Sequence, residues 1–133
     1  MTTNRRPAPF LIRLRLRDGR VRTVASPDPS AAQRAVARLA SRPELDAVCW
    51  MPHPALAGPV RLIGRYTADV PGIGSLPRVA HLFLLQPGAR IGPHDPVTAL
   101  CGEPIRADQL DILSTDGGRP CYRCRVRTPE TPS

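Results

Sequence analysis

Three cysteines and one histidine in the last third of the chain constrain this sequence more than any other feature. Cys121 and Cys124 form a C-x-x-C pair, Cys101 is followed by a glycine, and His81 lies upstream of all three. In a short chain whose first residues do not resemble a secretory leader, such a set is more typical of a metal site than of disulfides. Structural zinc takes four tetrahedral ligands, often thiolates and imidazoles, so the pattern predicts one zinc ion.

The fourth ligand of this site stays open at the level of the sequence. His81 is favoured because it lies within a predicted strand from 79 to 85, and a strand holds a ligand rigidly. The competing residues are His53, His94 and Cys49. Two other interpretations of the cysteines remain, namely reduced thiols packed in a core and a redox-active C-x-x-C. No βαβ pattern precedes the pair, which argues against the redox interpretation.

At 133 residues, the chain is long enough for one domain or for two small subdomains that share a core. We expect an α+β fold, in which an N-terminal ββαβ unit with a small antiparallel sheet precedes a zinc-stapled, ribbon-like subdomain. The predicted segments are a flexible N-terminus (1–9), the ββαβ unit (10–51), a proline- and glycine-rich connection with a possible edge strand (52–78), the zinc-binding subdomain (79–127) and a frayed tail (128–133).

The ββαβ unit is predicted from alternation, a turn signal and helix caps. Residues 10–17 alternate between apolar side chains and arginine, and Asp18-Gly19 is typical of a two-residue hairpin turn. Such a turn places Arg17 opposite Arg20, Leu16 opposite Val21, and Arg15 opposite Arg22. A helix is expected at 29–41, with Asp28 as its cap and Pro29 in its first turn, and a third strand at 45–51.

Within this unit, the predicted register gathers arginines on one face of the hairpin. The chain has 19 basic residues, all arginine, and a net charge of +8, and residues 1–66 hold 12 arginines against four acids. Like charges opposed across a hairpin destabilise it, so the cluster indicates an anionic partner, either a nucleic-acid backbone or an acidic protein surface. The alternative without a partner is that these arginines are solvated, or that they pair with acids such as Asp69 or Glu130. The arginines of this predicted face are Arg13, Arg15, Arg17, Arg20 and Arg22.

The second half of the chain reads as shorter elements around the cysteines. Strands are expected at 60–67 and 79–85, Cys101-Gly102 is expected to form a tight turn, and residues 107–113 a short helix. The glycines at 117 and 118 then turn the chain into the C-x-x-C pair. Few aromatic residues are present, which argues against the aromatic platform of many single-strand and RNA binders.

Three segments of this half resemble a group of small, mostly uncharacterised bacterial proteins. These segments are Val79-Ala80-His81-Leu82, Thr98-Ala99-Leu100-Cys101-Gly102 and Pro120-Cys121-Tyr122-Arg123-Cys124-Arg125. The pattern that they share with that group is His…Leu-Cys-Gly…Cys-x-x-Cys. The resemblance covers about residues 79–127 and implies a zinc-ribbon-like site, but it implies nothing about an activity.

A catalytic alternative arises from Glu103, which follows Cys101-Gly102. In zinc deaminases three ligands hold the metal, and a glutamate that is not a ligand shuttles protons for a zinc-bound water. Such a site would use Cys101, Cys121 and Cys124 as ligands. Those enzymes need a helix that carries the glutamate and then a strand, and Pro104 is tolerated only in a first helical turn. The prediction is therefore a non-enzymatic zinc-binding accessory protein, with a deaminase-like hydrolase as the alternative.

No apolar stretch reaches the length of a membrane span, and arginines interrupt the short apolar runs near the N-terminus. We therefore expect a cytoplasmic protein whose thiols are reduced and available for metal.

Overall fold

The residues that the structure describes form two small sheets, a short hairpin and two helices. The computed structural model describes residues 8–67, 79–113 and 119–127. Its strands are β1 (Phe10–Leu16), β2 (Val21–Ser26), β3 (Leu45–Pro52), β4 (Val60–Tyr66), β5 (Val79–Leu85), β6 (Pro96–Thr98), β7 (Pro104–Arg106), β8 (Leu110–Leu113) and β9 (Arg119–Pro120). Its helices are α1 (Pro29–Leu39) and α2 (Tyr122–Val126), and a 3₁₀ turn spans Ala107–Gln109.

The first sheet has the order β2-β1-β3 and is covered by α1, so the predicted ββαβ unit is confirmed. The helix begins as the sequence indicates, because the Asp28 side chain accepts a hydrogen bond from the Ser30 amide at 3.0 Å and Pro29 occupies the first turn. Ala32 and Val36 on its apolar side are buried against the sheet. The class of the fold, α+β with small antiparallel sheets, is also confirmed.

The register of the β1–β2 hairpin differs by one residue from the prediction. Arg15 pairs with Val21, and Leu14 pairs with Arg22. The turn holds three residues rather than two, because only Gly19 has a positive φ (92°) and Asp18 keeps an ordinary one. A one-residue shift moves a strand's side chains to the other face. The five predicted arginines therefore do not share a face: Arg13 and Arg15 lie on one side of the hairpin, and Arg22 on the other.

The second sheet has the order β8-β4-β5-β9 and corrects two further predictions. The connection was predicted to add an edge strand at most. The strand found there, β4, is instead an inner strand that pairs with both β5 and β8. The helix expected at 107–113 is a 3₁₀ turn followed by strand β8. Leu110 and Ile112 are buried at alternate positions, and pairing with β4 stabilises the extended conformation there.

Buried side chains from both sheets and α1 form a single core. It includes Phe10, Val36, Trp50, Phe83 and Ile112, and the rings of Phe10 and Trp50 meet edge to face with centroids 5.9 Å apart. Gln33 on α1 donates to the carbonyl of Leu110 at 2.7 Å, which links the helix to the second sheet. This shared core fixes the position of β5, the strand on which the candidate site is built.

Several expectations lie outside the described residues. These are most of the predicted flexible N-terminus, the tail from 128, the turn at Asp116-Gly117-Gly118, and ion pairs with Asp69 or Glu130. Among the residues that are described, no helix has the length and hydrophobicity that a bilayer span requires.

Candidate metal centre

The four residues predicted to bind zinc come together in the structure. His81, Cys101, Cys121 and Cys124 each offer one ligand atom, and these atoms all lie within 4.8 Å of one another. The competitors for the fourth position lie elsewhere. The His53 ring nitrogen accepts from the Ala55 amide, His94 faces Asp108 at 3.3 Å, and Cys49 pairs with Arg13 in the first sheet. The chain therefore contains a cluster that could hold a metal ion.

The outer edge of β5 positions the cluster. Its carbonyl at Ala80 accepts a hydrogen bond from the Cys121 amide, and its carbonyl at Leu82 accepts one from the Leu100 amide, both at 2.8 Å. Between these two carbonyls lies His81, whose half-buried side chain completes the set. The strand edge therefore binds both cysteine-bearing segments by their backbones and brings their thiols to the imidazole.

Cys101 lies at the middle of the loop that joins β6 to β7. The Ala99 amide donates to the Glu103 carbonyl at 2.8 Å and the Gly102 amide to the Ala99 carbonyl at 2.9 Å. Gly102 has a φ of 94°, a conformation that glycine adopts without steric cost. The β1–β2 loop is closed by the same pattern, in which the Leu16 amide donates to the Arg20 carbonyl and the Gly19 amide to the Leu16 carbonyl. The tight turn predicted at Cys101-Gly102 is confirmed, and it is a three-residue loop with glycine in the left-handed position.

Cys121 and Cys124 lie at the start of α2. Strand β9 pairs in parallel with β5, and Cys121 follows it as the residue that caps the helix. Cys124 then lies within the first helical turn and is fully buried, with its thiol 3.7 Å from the Leu82 carbonyl oxygen. The sequence did not indicate this helix, because its five residues are too few for a hydrophobic period.

The distances within the cluster match a tetrahedral metal. The Cys101 sulfur lies 3.4 Å from Nδ1 of His81, and the Cys124 sulfur lies 3.8 Å from the same nitrogen. Bonds of about 2.3 Å to sulfur and about 2.0–2.1 Å to nitrogen, at the tetrahedral angle, place the two ligand atoms about 3.6 Å apart. These two distances fit a tetrahedral site, and the four ligand atoms, all within 4.8 Å of one another, are close enough to share one ion.

Burial and hydrogen bonds set the protonation of the cluster in different directions at its members. Burial lowers the pKa of His81 and so favours the neutral imidazole, which is the form that binds metal, although Glu103 opposes this shift. Burial raises the pKa of Cys124 to about 11. Burial also acts to raise the pKa of Cys121, but hydrogen bonds from the Cys124 backbone and from neighbouring thiols outweigh it and lower that pKa. A cation that binds to Cys124 would therefore have to displace the proton of this thiol, whereas the Cys121 thiol loses its proton more readily.

Glu103 lies close to the cluster but not on a helix. It precedes strand β7, its side chain is exposed, and its carboxylate accepts a hydrogen bond from the Tyr66 hydroxyl at 2.6 Å. Burial and this carboxylate raise the pKa of Tyr66 to about 12. The elements described between Glu103 and Cys121 are strands and a 3₁₀ turn. The arrangement that a deaminase-like site requires, a helix carrying the glutamate, is not found in this described part of the chain.

The hairpin arginines are divided between two surfaces. Arg13 and Arg15 share one surface with Cys49 and with Arg90, which the sequence analysis did not single out, and Asp95 also lines it. Arg15 pairs with Asp46 at 3.6 Å, and Arg20 pairs with Asp18 at 2.7 Å within the turn. Arg17 donates to the Pro43 carbonyl. Burial raises the pKa of the Cys49 thiol, against the opposing effect of Arg90 and Arg13.

No protein-family model matches the chain, and no curated protein or solved structure matches it either.

Proposed function

We propose that His81, Cys101, Cys121 and Cys124 bind one zinc ion as a structural centre, and that the chain is a non-enzymatic accessory protein for an anionic macromolecule. The observation that carries the proposal is the convergence of four ligand atoms within 4.8 Å. They come from a strand, a hairpin loop and the two ends of a C-x-x-C turn. Segments so distant in sequence do not bring three thiols and an imidazole together by chance.

Zinc is the ion that this donor set favours. Thiolate ligands select zinc over magnesium and calcium, which prefer oxygen, and three cysteines with one histidine is a common structural zinc set. All four tetrahedral positions are supplied by side chains, whereas a catalytic zinc keeps one position for water or substrate. The donor set therefore supports a structural role more than hydrolysis. In this proposal the chain works in the reducing cytoplasm, where thiolates stay available to the metal.

The metal's role in this proposal is to stabilise the last segment of the chain. Strand β9 has two residues, α2 has five, and the only buried residue of α2 is Cys124. So short a helix does not persist in water on its own, and a segment with so little apolar burial needs a staple. Zinc binding supplies folding free energy directly in small domains of this kind.

The proposed partner surface is formed by Arg13, Arg15 and Arg90. Arg13 and Arg90 have no ion pair with any acid in the described ranges, so their charges are available to a partner. A nucleic-acid backbone and an acidic protein surface both offer the complementary charge. Arg22 pairs with Leu14 and lies on the opposite face, so it provides a control of equal charge.

Metal analysis of the full chain, purified under reducing conditions, tests the zinc centre. We expect one zinc ion per chain, a lower thermal midpoint after treatment with a strong chelator, and recovery when zinc but not magnesium is added back. A chain that holds much less than one zinc ion, or whose midpoint does not respond to the chelator, contradicts the proposal.

A further inference from the structure

Helix α2 presents an exposed tyrosine and valine on its outer side. Cys124 points inward to the cluster, and at about 100° per residue Tyr122 and Val126 lie nearly opposite it. Their exposed fractions are 78% and 61%, higher than those of the other large hydrophobic residues in the described chain. Arg123 and Arg125 lie on either side of this pair. An aromatic ring so exposed on a helix of five residues contributes little to folding.

The surroundings of this helix are strongly basic. The nine residues from 119 to 127 contain four arginines and no acid, all four arginines are exposed, and none has an ion pair with an acid in the part of the chain that the structure describes. Arg127 donates to the Cys101 carbonyl at 3.3 Å, which directs it to the hairpin loop beside the helix. Residues 67–133 as a whole have no net charge, so the excess of positive charge is confined to the segment around α2.

We propose that this surface, the α2 surface, binds single-stranded nucleic acid, with Tyr122 stacked on a base and the arginines on flanking phosphates. Its residues are Arg119, Tyr122, Arg123, Arg125, Val126 and Arg127. The inference rests on the proposed zinc centre, because Cys121 and Cys124 are the ligands that hold the helix in place. Proteins that bind single strands combine basic surfaces with aromatic side chains on which bases stack. A single tyrosine is not the aromatic platform that the composition argues against, and it would stack on one base.

The tyrosine decides between the possible partners. An acidic protein surface would complement the arginines, but it gives no role to an exposed ring placed between them. A base offers a π-face on which the Tyr122 ring can stack, and the phosphates that flank this base in the strand can then contact Arg123 and Arg125. A duplex does not expose base faces, and a helix of five residues, about 7.5 Å long, is too short to read a groove. An unpaired strand therefore fits best.

The test is binding of a fluorescein-labelled oligothymidylate of about 12 nucleotides to the zinc-loaded full chain, measured by anisotropy at two salt concentrations. Tyr122→Ala should weaken binding about tenfold, the effect expected when one stacked base is lost. Arg125→Glu should weaken binding and make it less dependent on salt. Arg38→Glu is the matched control, because Arg38 is exposed on α1 and the charge change is the same; its affinity should stay within about twofold.

Zinc content is measured for every variant, so that failure of the metal centre and failure of this inference are distinguishable. A wild type that holds zinc and does not bind the oligonucleotide overturns the inference and leaves the zinc centre intact. Binding by the zinc-free chain that still depends on Tyr122 contradicts the role of zinc in holding α2 in place, although it supports the α2 surface itself; a wild type without zinc contradicts the zinc centre. If Arg38→Glu and Arg125→Glu lose the same amount of affinity for the oligonucleotide, the contact is not specific to α2. If polyglutamate of equal charge displaces the oligonucleotide, any anion suffices. Either result overturns the inference.

Discussion

The sulfur of Cys101 lies 3.4 Å from Nδ1 of His81, although 20 residues separate them in the sequence. The contact joins a hairpin loop to the edge of β5, and the backbone bond from Leu100 to Leu82 holds it from one side. The position of His81 between two carbonyls that bind cysteine-bearing segments explains why this histidine, and not His53 or His94, lies in the cluster.

Replacing Cys124 should remove the metal and destabilise the chain. Cys124→Ser keeps the size of the side chain but replaces a buried thiolate ligand with a hydroxyl that binds zinc weakly. We expect zinc content well below one ion per chain and a thermal midpoint lower by about 10 °C or more. Metal analysis and calorimetry are the measurements. Cys49→Ser is the control, because Cys49 lies outside the cluster; equal effects of the two variants would mean that the cluster is not a metal site.

Alanine substitutions at two glycines in equivalent hairpin loops distinguish an effect on stability from an effect on zinc binding. Gly102 and Gly19 have φ values of 94° and 92°, and no atom would clash with a Cβ at either position. Gly102→Ala and Gly19→Ala should each cost about 1 kcal/mol of stability through backbone strain. Gly102→Ala alone should also weaken zinc binding, because it moves the Cys101 loop. Competition with a chromophoric chelator measures the affinity, and equal zinc affinity in the two variants would contradict this prediction.

Gly64 should not tolerate a side chain. It pairs with His81 across β4 and β5, and a Cβ there would lie 2.6 Å from the Leu110 side chain and 3.2 Å from the Phe83 ring. Gly64→Ala should therefore lower the free energy of unfolding by about 1–3 kcal/mol, the usual cost of overpacking a core. Urea denaturation gives this value. Gly58→Ala, where no atom lies within 4 Å, should be close to neutral, and a neutral Gly64→Ala would show that the sheet can adjust.

The observed register makes a direct comparison between two hairpin arginines possible. Arg13 and Arg22 lie on opposite faces, and neither has an ion pair in the described ranges. If the surface of Arg13, Arg15 and Arg90 binds a polyanion, Arg13→Glu should weaken retention on heparin more than Arg22→Glu does, and the salt needed for elution should fall. Elution at the same salt concentration for both variants would assign the effect to net charge alone.

Tyr66 should make stability depend on pH in the alkaline range. Its pKa is raised to about 12, first by burial and then by the Glu103 carboxylate, whereas in the unfolded chain it is about 10. A raised pKa stabilises the fold below the unfolded value, and this stability is lost as the pH rises through the folded value. Tyr66→Phe should cost about 1 kcal/mol at pH 8 through the lost hydrogen bond. The difference from wild type should shrink near pH 11 in urea denaturation; a constant difference would mean that Tyr66 does not titrate as described.

Local signals in the sequence were sufficient for several elements. Asp28 and Pro29 defined the start of α1, and the alternation along 10–16 defined β1. The cluster was also predictable, since the C-x-x-C pair and Cys101-Gly102 are short-range patterns whose metal chemistry is well known. Each of these signals lies within a few neighbouring residues, although the cluster itself joins segments about 20 residues apart.

The errors arose where the local sequence is compatible with more than one conformation. Asp18-Gly19 is compatible with both a two-residue and a three-residue loop, and the choice of the latter moved Arg22 to the other face. Residues 110–113 extend because β4 offers them a partner, which overrides their tendency to form a helix. The local excess of arginine around α2 is not visible in the charge balance of the second half, because residues 67–133 contain seven arginines and seven acids.

The outer edge of β5 gives the cluster a consequence beyond its own fold. The amides of Leu100 and Cys121 donate hydrogen bonds to carbonyls on that edge, and β9 pairs with Val79 and Ala80 at its start. If the metal leaves and these segments detach, an apolar strand with open backbone groups becomes available to a second chain, the usual origin of edge-to-edge association. If the cluster binds zinc as proposed, we therefore expect metal depletion to promote self-association, which light scattering would measure.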